Sequence, residues 1–186
     1  MIALYIVFVV FLYANLPFAK SYIFDALKHE SQVSFVMTMI CRDEAVNFRS
    51  NLALWLPAVD YFVFLIDKRT SDGSEAVIES ILGNGKSKGY KIIPHDFLGF
   101  GQSRTASLDE AWKYFPQATH VVIADPDWKP DPSTMIDKKP FLVNVEVFRY
   151  IVYDRNKFTR RRMDWLMRHR KGLSMRYSLH EVNFIY

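Results

Sequence analysis

The stretch His120-Val121-Val122-Ile123-Ala124-Asp125-Pro126-Asp127-Trp128 decides how this 186-residue chain is read. A β-branched apolar run that breaks into two carboxylates is the pattern of a buried strand ending in an acidic loop. Open α/β sheets present their ligand-binding residues at the carboxyl ends of such strands. Two carboxylates at i and i+2 can share one hard divalent cation, Mg²⁺ or Mn²⁺, with substrate phosphates supplying further oxygens. Pro126 stiffens the turn and removes one competing amide donor. The plain alternative is a ligand-free turn, because Asp and Pro both favour turns for local reasons. The flanking chain has to choose.

Upstream, three more strand-like runs alternate with helical patterns. Val33 to Ile40 is apolar and stops at Cys41-Arg42-Asp43-Glu44; a helix with Val46, Leu52, Leu54 and Trp55 follows and ends before Pro57. Tyr61 to Ile66 is a second buried strand closing on Asp67, and Thr70-Ser71-Asp72-Gly73-Ser74 is a turn that opens a helix running to about Leu82. Tyr90 to Pro94 is a third, short strand, and after Gly99-Phe100-Gly101 a helix carries Arg104, Ala106, Leu108, Ala111 and Trp112 before Pro116. Four strands alternating with three helices predict a mostly parallel sheet of nucleotide-binding type.

Downstream, Phe141 to Tyr150 alternates well enough for another strand, extending toward Tyr153, and Val182 to Tyr186 also has strand character. A chain ending in mid-strand suggests a fragment or a truncated gene model. Between Arg149 and Arg176 stand ten Lys and Arg residues against only Asp154 and Asp164, whereas the whole chain carries a net charge of +4. The basic excess suggests an anionic partner for this stretch. That partner could be a membrane surface, a sugar diphosphate or nucleic acid, with a merely solvated face as the plain alternative.

Residues Ile2 to Phe18 are almost uniformly apolar, and no charge precedes Lys20. The run lies near the lower limit of a bilayer span of about 17–25 residues and exceeds a simple signal core of about 7–15. Residues 1–24 are therefore expected to be a signal peptide or a signal anchor, 25–32 a linker, and 33–186 the globular domain. Both N-terminal readings place the domain in the secretory pathway, as a single-pass Golgi or ER membrane protein or as a secreted one. That compartment argues against nucleic acid as a partner. Cys41 is the single cysteine, so neither an intrachain disulfide nor a cysteine-based zinc site is possible.

Taken together, Thr38, Arg42-Asp43-Glu44, Asp67, Thr70-Ser71-Asp72-Gly73-Ser74, Arg104 and Asp125-x-Asp127 resemble glycosyltransferase family 2 in order and spacing. The stretch from Trp165 to His180-Glu181 is similar to the ending of several members, so the resemblance runs from Val33 to Glu181. It implies a GT-A fold: a Rossmann-like, three-layer α/β/α sandwich with a mostly parallel central sheet. It also implies a transferase that moves a sugar from a nucleotide-diphosphate sugar to a hydroxyl of a carbohydrate, lipid or protein acceptor.

By the same resemblance Asp125 and Asp127 would bind Mn²⁺ or Mg²⁺, with His180 as a further ligand or a diphosphate contact. Asp43, Glu44, Asp67 and Asp72 would line the nucleotide, and Arg104 would face the diphosphate. Glu181 would be the base that deprotonates the acceptor hydroxyl. Simpler roles stay open for several of them: a helix cap for Asp67 or Asp72, a first-turn helix residue for Glu44, a surface arginine for Arg104. Lys68-Arg69 departs from the small or acidic residues usual after the second strand in this family. Two other readings compete. One is a catalytically inactive relative acting as a binding module. The other is a nucleotidyltransferase, which would want a glycine-rich, lysine-containing phosphate loop where Cys41-Arg42-Asp43-Glu44 stands.

Overall fold

The computed structural model describes residues 33–83, 85–129, 147–154, 159–175 and 184–185. The expected signal or anchor over 1–24, the linker over 25–32, His180 and Glu181 lie outside the described residues. Among the described residues no helix is long and apolar enough to cross a membrane.

The apolar runs become β1 (Phe35–Cys41), β2 (Tyr61–Asp67), β3 (Gly89–His95) and β4 (His120–Ile123). Between them lie α1 (Ala45–Asn51), which tightens into a 3₁₀ turn over Leu52–Trp55, then α2 (Ser74–Leu82) and α3 (Phe100–Tyr114). β1 pairs in parallel with β2 on one side and with β4 on the other, and β3 adds to β2, also in parallel.

Beyond β4 the chain forms β5 (Val147–Asp154) and β6 (Thr159–Arg168), an antiparallel pair whose second strand also lies antiparallel against β4. The six strands stand in the order β3-β2-β1-β4-β6-β5, and a separate two-stranded ribbon joins β7 (Ser174–Met175) to β8 (Phe184–Ile185). The arginine run at 160–162, read from the sequence as a charged patch, is therefore a sheet strand. The strand expected over 141–150 begins, among the described residues, at Val147.

Both faces of the sheet are covered, which is why β1, β2 and β4 read as continuous apolar runs rather than as alternating ones. On one face Phe35, Met37, Met39, Phe62, Phe64 and Val122 pack beneath Phe48, Leu52, Trp55 and Ile78 of the α1–α2 layer. On the other, Val36, Val63, Leu65, Val121 and Ile123 meet Leu108 and Ala111 of α3 and Phe115, which caps it. This is the three-layer α/β/α arrangement with a mostly parallel sheet.

A candidate active site at the carboxyl edge of the sheet

The chain lays down β1, β2 and β3 outward in one direction, then returns to place β4 on the opposite side of β1. The strand order reverses between β1 and β4, and ligands of open α/β sheets bind in the crevice outside such a reversal. The segments leaving β1 and β4 are Arg42-Asp43-Glu44 and Asp125-Pro126-Asp127, so the topology alone brings these two acidic segments to one crevice.

The Asp125-Pro126-Asp127 turn is fastened to both layers. The alternation of β4 places Val121 and Ile123 on the α3 face, and Asp125 continues it: its Oδ1 accepts from Nη2 of Arg104 at 2.8 Å. Arg104 is 2% exposed, and its guanidinium lies over the Phe100 ring. It is thus a buried residue holding a carboxylate, not the surface arginine left open from the sequence. On the α1 side, Asn51 donates its Nδ2 to the carbonyl of Pro126 at 3.0 Å. Trp128 N–H closes the turn on the Asp125 carbonyl, and Ala124 N–H bonds the carbonyl of Thr38 in β1.

Asp127 is exposed, and its carboxyl is pushed above the usual carboxylate range, first by partial burial and then by the charge of Asp125. Glu44 behaves alike. Burial is the largest cause of its raised pKa; the Asn47 amide, 2.6 Å from Oε2, opposes the rise, and the charges of Asp127, Asp72 and Asp125 add to it. The structure therefore brings Glu44, Asp125 and Asp127 into mutual repulsion.

The carboxylates nearer β2 are satisfied by the chain itself. Asp67 ends β2 with both oxygens engaged by Arg69: Nε to Oδ1 at 2.8 Å, Nη2 to Oδ2 at 2.6 Å, and the Arg69 N–H to Oδ1 at 2.9 Å. Those hydrogen bonds hold its carboxyl well below the usual range. Asp72 accepts from the Ala45 N–H at 2.7 Å and from the N–H and hydroxyl of Ser74, at 3.0 and 2.5 Å. Burial raises its pKa, but these donors outweigh burial and leave the carboxyl lowered. The N-cap of α2 is Gly73, at φ +81°, and Asp72 beside it serves two helix starts, the Ser74 N–H of α2 with one oxygen and the Ala45 N–H of α1 with the other. Ser74 Oγ meanwhile accepts from the Glu44 N–H. Asp43 sits in the left-handed region at φ +54°, a conformation that Asp tolerates better than most residues, and its Oδ1 accepts from the Ser71 N–H. Lys68, whose role the sequence left undecided, pairs with Asp96 at 2.6 Å.

Of the residues singled out from sequence, Glu44, Asp125 and Asp127 come together with Arg104 behind Asp125. Asp43, Asp67 and Asp72 share the same edge as parts of its scaffolding, and His180 and Glu181 lie outside the described residues. Sequence reasoning missed Asn51, Ser74 and the Asp67–Arg69 fork. Asn51 had a readable signal, because Phe48, Leu52 and Trp55 are apolar and a helical stripe through them includes position 51. Cys41 is inert here: its thiol is buried against the Leu65 carbonyl, and burial pushes its pKa far up.

The chemistry of the donor set fits a hard divalent cation. Two carboxylates one residue apart, with a third behind them, repel one another until a cation arrives. Among the described residues no three His, Cys, Asp or Glu side chains form a ready-made cage.

No family model matches the chain, and no curated protein matches it in sequence. Among solved structures it is similar to S. aureus TarS 1–349 crystallised in complex with UDP-GlcNAc, at a TM-score of 0.50 and 15% identity, over 65% of this chain and 34% of that one. The same TarS fragment without that ligand gives a TM-score of 0.50 and 15% identity over 65% and 35%. The mannosyltransferase Ktr4p of S. cerevisiae gives 0.35 and 13% identity over 66% and 40%. The chain spans about a third of the length of the TarS structures. The likeness to TarS shows the fold, a GT-A-type α/β/α sheet.

Proposed function

We propose that this chain carries the donor-binding half of a glycosyltransferase, which transfers a sugar from a nucleotide-diphosphate sugar to an acceptor hydroxyl with help from Mn²⁺ or Mg²⁺. One observation carries the reading: Asp127 and Glu44, each with a raised pKa, converge with the Arg104-held Asp125 in the crevice where the strand order of a GT-A-type sheet reverses. Asp125 and Asp127 would hold the cation, which when bound supplies charge neutralisation for the diphosphate leaving group. Arg104 would hold and aim Asp125 from behind rather than touch the diphosphate. Asp43 and Asp72 set the backbone of the two loops that a nucleoside would lie against, and Asp67 faces it through Arg69.

In the transfer itself, the bond between the anomeric carbon and the diphosphate oxygen breaks as the acceptor oxygen bonds that carbon. Glu181 takes the acceptor proton, and His180 assists at the cation or the diphosphate. The apolar 2–18 segment would tether the domain to, or deliver it into, the secretory pathway.

The test is calorimetric titration of the full chain with UDP and with GDP, each with and without Mn²⁺, followed by hydrolysis of the matching nucleotide sugar. Binding that needs Mn²⁺ and is lost in Asp127→Asn supports the reading; equal binding by the two proteins at saturating Mn²⁺ sinks it. The Arg69 fork on Asp67 favours a second reading, an inactive binding module, because it consumes a carboxylate that the resemblance assigns to the nucleotide. Tight, metal-dependent nucleotide binding with no donor hydrolysis and no transfer would select that one.

A further inference from the structure

The two aspartates of the Asp125-Pro126-Asp127 turn are held in different ways. Asp125 has its side chain fixed directly by Arg104. Among the described residues no hydrogen bond from another element is given to the Asp127 side chain, so its direction follows from the backbone of the turn. That backbone cannot be pinned through an amide at 126, because proline has none. Its carbonyl is pinned instead, by Nδ2 of Asn51 at 3.0 Å.

Asn51 is an expensive residue for that position. It is 2% exposed, at the end of α1, among the buried side chains of Phe48, Leu52 and Trp55. Among the described residues its Oδ1 has no hydrogen-bond partner. A half-satisfied amide in an apolar layer costs stability that a leucine would not. The core therefore gives no reason for an asparagine here, whereas the bond to Pro126 does.

We propose that Asn51 is a positioning residue for the carboxylate pair: by holding the Pro126 carbonyl against α1 it fixes where Asp127 leaves the turn, and so the span between the two carboxylates. The proposal rests on the glycosyltransferase reading only for what the carboxylates bind. Partners that orient ligating carboxylates without touching the metal alter its affinity by about 10–100-fold when removed. Asn51 is expected to fall in that range.

The experiment compares the full chain with Asn51→Leu, close in size but without a donor, and with Asn51→Ala. Three quantities are read: the melting temperature, amide hydrogen exchange by NMR, and Mn²⁺ affinity by calorimetry in the presence of UDP. Asn51→Leu should melt within about 3 °C of the parent. Its Asp127 and Trp128 amides should exchange about tenfold faster while those of β1 and β2 stay unchanged, and its Mn²⁺ dissociation constant should rise about tenfold or more.

A purely structural role predicts the other pattern, in which the melting temperature falls and the turn and metal affinity change no more than the rest of the molecule. A folded variant with parental exchange at Asp127 and Trp128, or with parental Mn²⁺ affinity, overturns the proposal. If neither variant folds, the Asn51 side-chain amide of the parent decides: protection of its Nδ2 protons that increases with Mg²⁺ and UDP supports the role, and free exchange overturns it. If the parent binds no Mn²⁺ with UDP, the functional reading fails while the exchange comparison still judges the hold of Asn51 on the turn.

Discussion

Two acidic clusters share the carboxyl edge of this sheet, and they are electrostatic opposites. Around β2, Asp67 and Asp72 are saturated with donors, and their carboxyls titrate below the usual range. Around β4, Asp127 is driven above it by burial and by the charge of Asp125, and the neighbouring Glu44 by burial and by the charges of Asp127, Asp72 and Asp125. The same residue type a few residues past a strand end thus does two jobs. A carboxylate that collects backbone N–H groups and a guanidinium is finished by the fold, whereas carboxylates that face each other are waiting for positive charge.

The largest effects should come from breaking the β4 cluster, and its two aspartates should break differently. Asp125→Ala should remove metal-dependent nucleotide binding and also destabilise the fold by about 2–3 kcal/mol, because it strips a partner from a buried guanidinium. Denaturant melts of the two proteins check this. Asp127→Ala should lose binding at least as completely, about 100-fold or more, with no loss of stability. If both variants are equally unstable, the division of labour between the aspartates is wrong.

The β2 cluster comes next. Asp72→Ala should cost about 1 kcal/mol, the usual worth of a helix cap, and should loosen α1 rather than abolish nucleotide binding. A smaller effect is set by pH. A carboxyl whose folded pKa is raised adds stability below its unfolded pKa and loses it as pH rises through the folded value. At neutral pH, ionised Asp127 therefore works against the metal-free fold. Asp127→Asn should melt slightly above the parent at pH 7, and the gap should close below the ordinary carboxylate range near pH 4. Added Mn²⁺ should erase or reverse that advantage. A gap that does not depend on pH would mean that Asp127 feels no repulsion.

How much of this could be seen in the sequence follows from locality. β1, β2 and β4 were legible because strands covered on both faces are unbroken apolar runs, and the Asp-Pro-Asp turn was legible because it follows one directly. β6 was not, since its arginines mask any alternation and its antiparallel place beside β4 depends on pairing across more than 40 residues. Asp72 was read as a cap, and it does accept from the Ser74 N–H at the start of α2; its second role, toward Ala45 of α1, was hidden because it crosses 27 residues. Arg69 looked like a departure from a family pattern; only side-chain geometry turns it into the partner of Asp67. Asn51 was in plain view as one polar residue on an apolar stripe.

Arg69→Ala gives the smallest expected effect and the sharpest cut through the comparison. Its ion pair with Asp67 joins a side chain that is 61% exposed to one that is 6% exposed, so melting at pH 7 should barely change. The consequence should appear in acid. A carboxyl with a lowered folded pKa supplies stability above its unfolded value and loses it as pH falls through the folded one. Without the guanidinium that acid loss should shrink, and the Asp67 carboxyl, followed by NMR, should titrate nearer its ordinary value. The same substitution frees Oδ2 of Asp67 at the end of β2 and leaves Oδ1 only the backbone N–H of residue 69. If a nucleoside docks there, UDP should bind Arg69→Ala more tightly than the parent, because an acceptor has been released without disturbing the β4 cluster. If the Asp67 titration moves and UDP affinity does not, Asp67 belongs wholly to the scaffold. The ligand then meets this edge only through the carboxylates that the fold left unsatisfied.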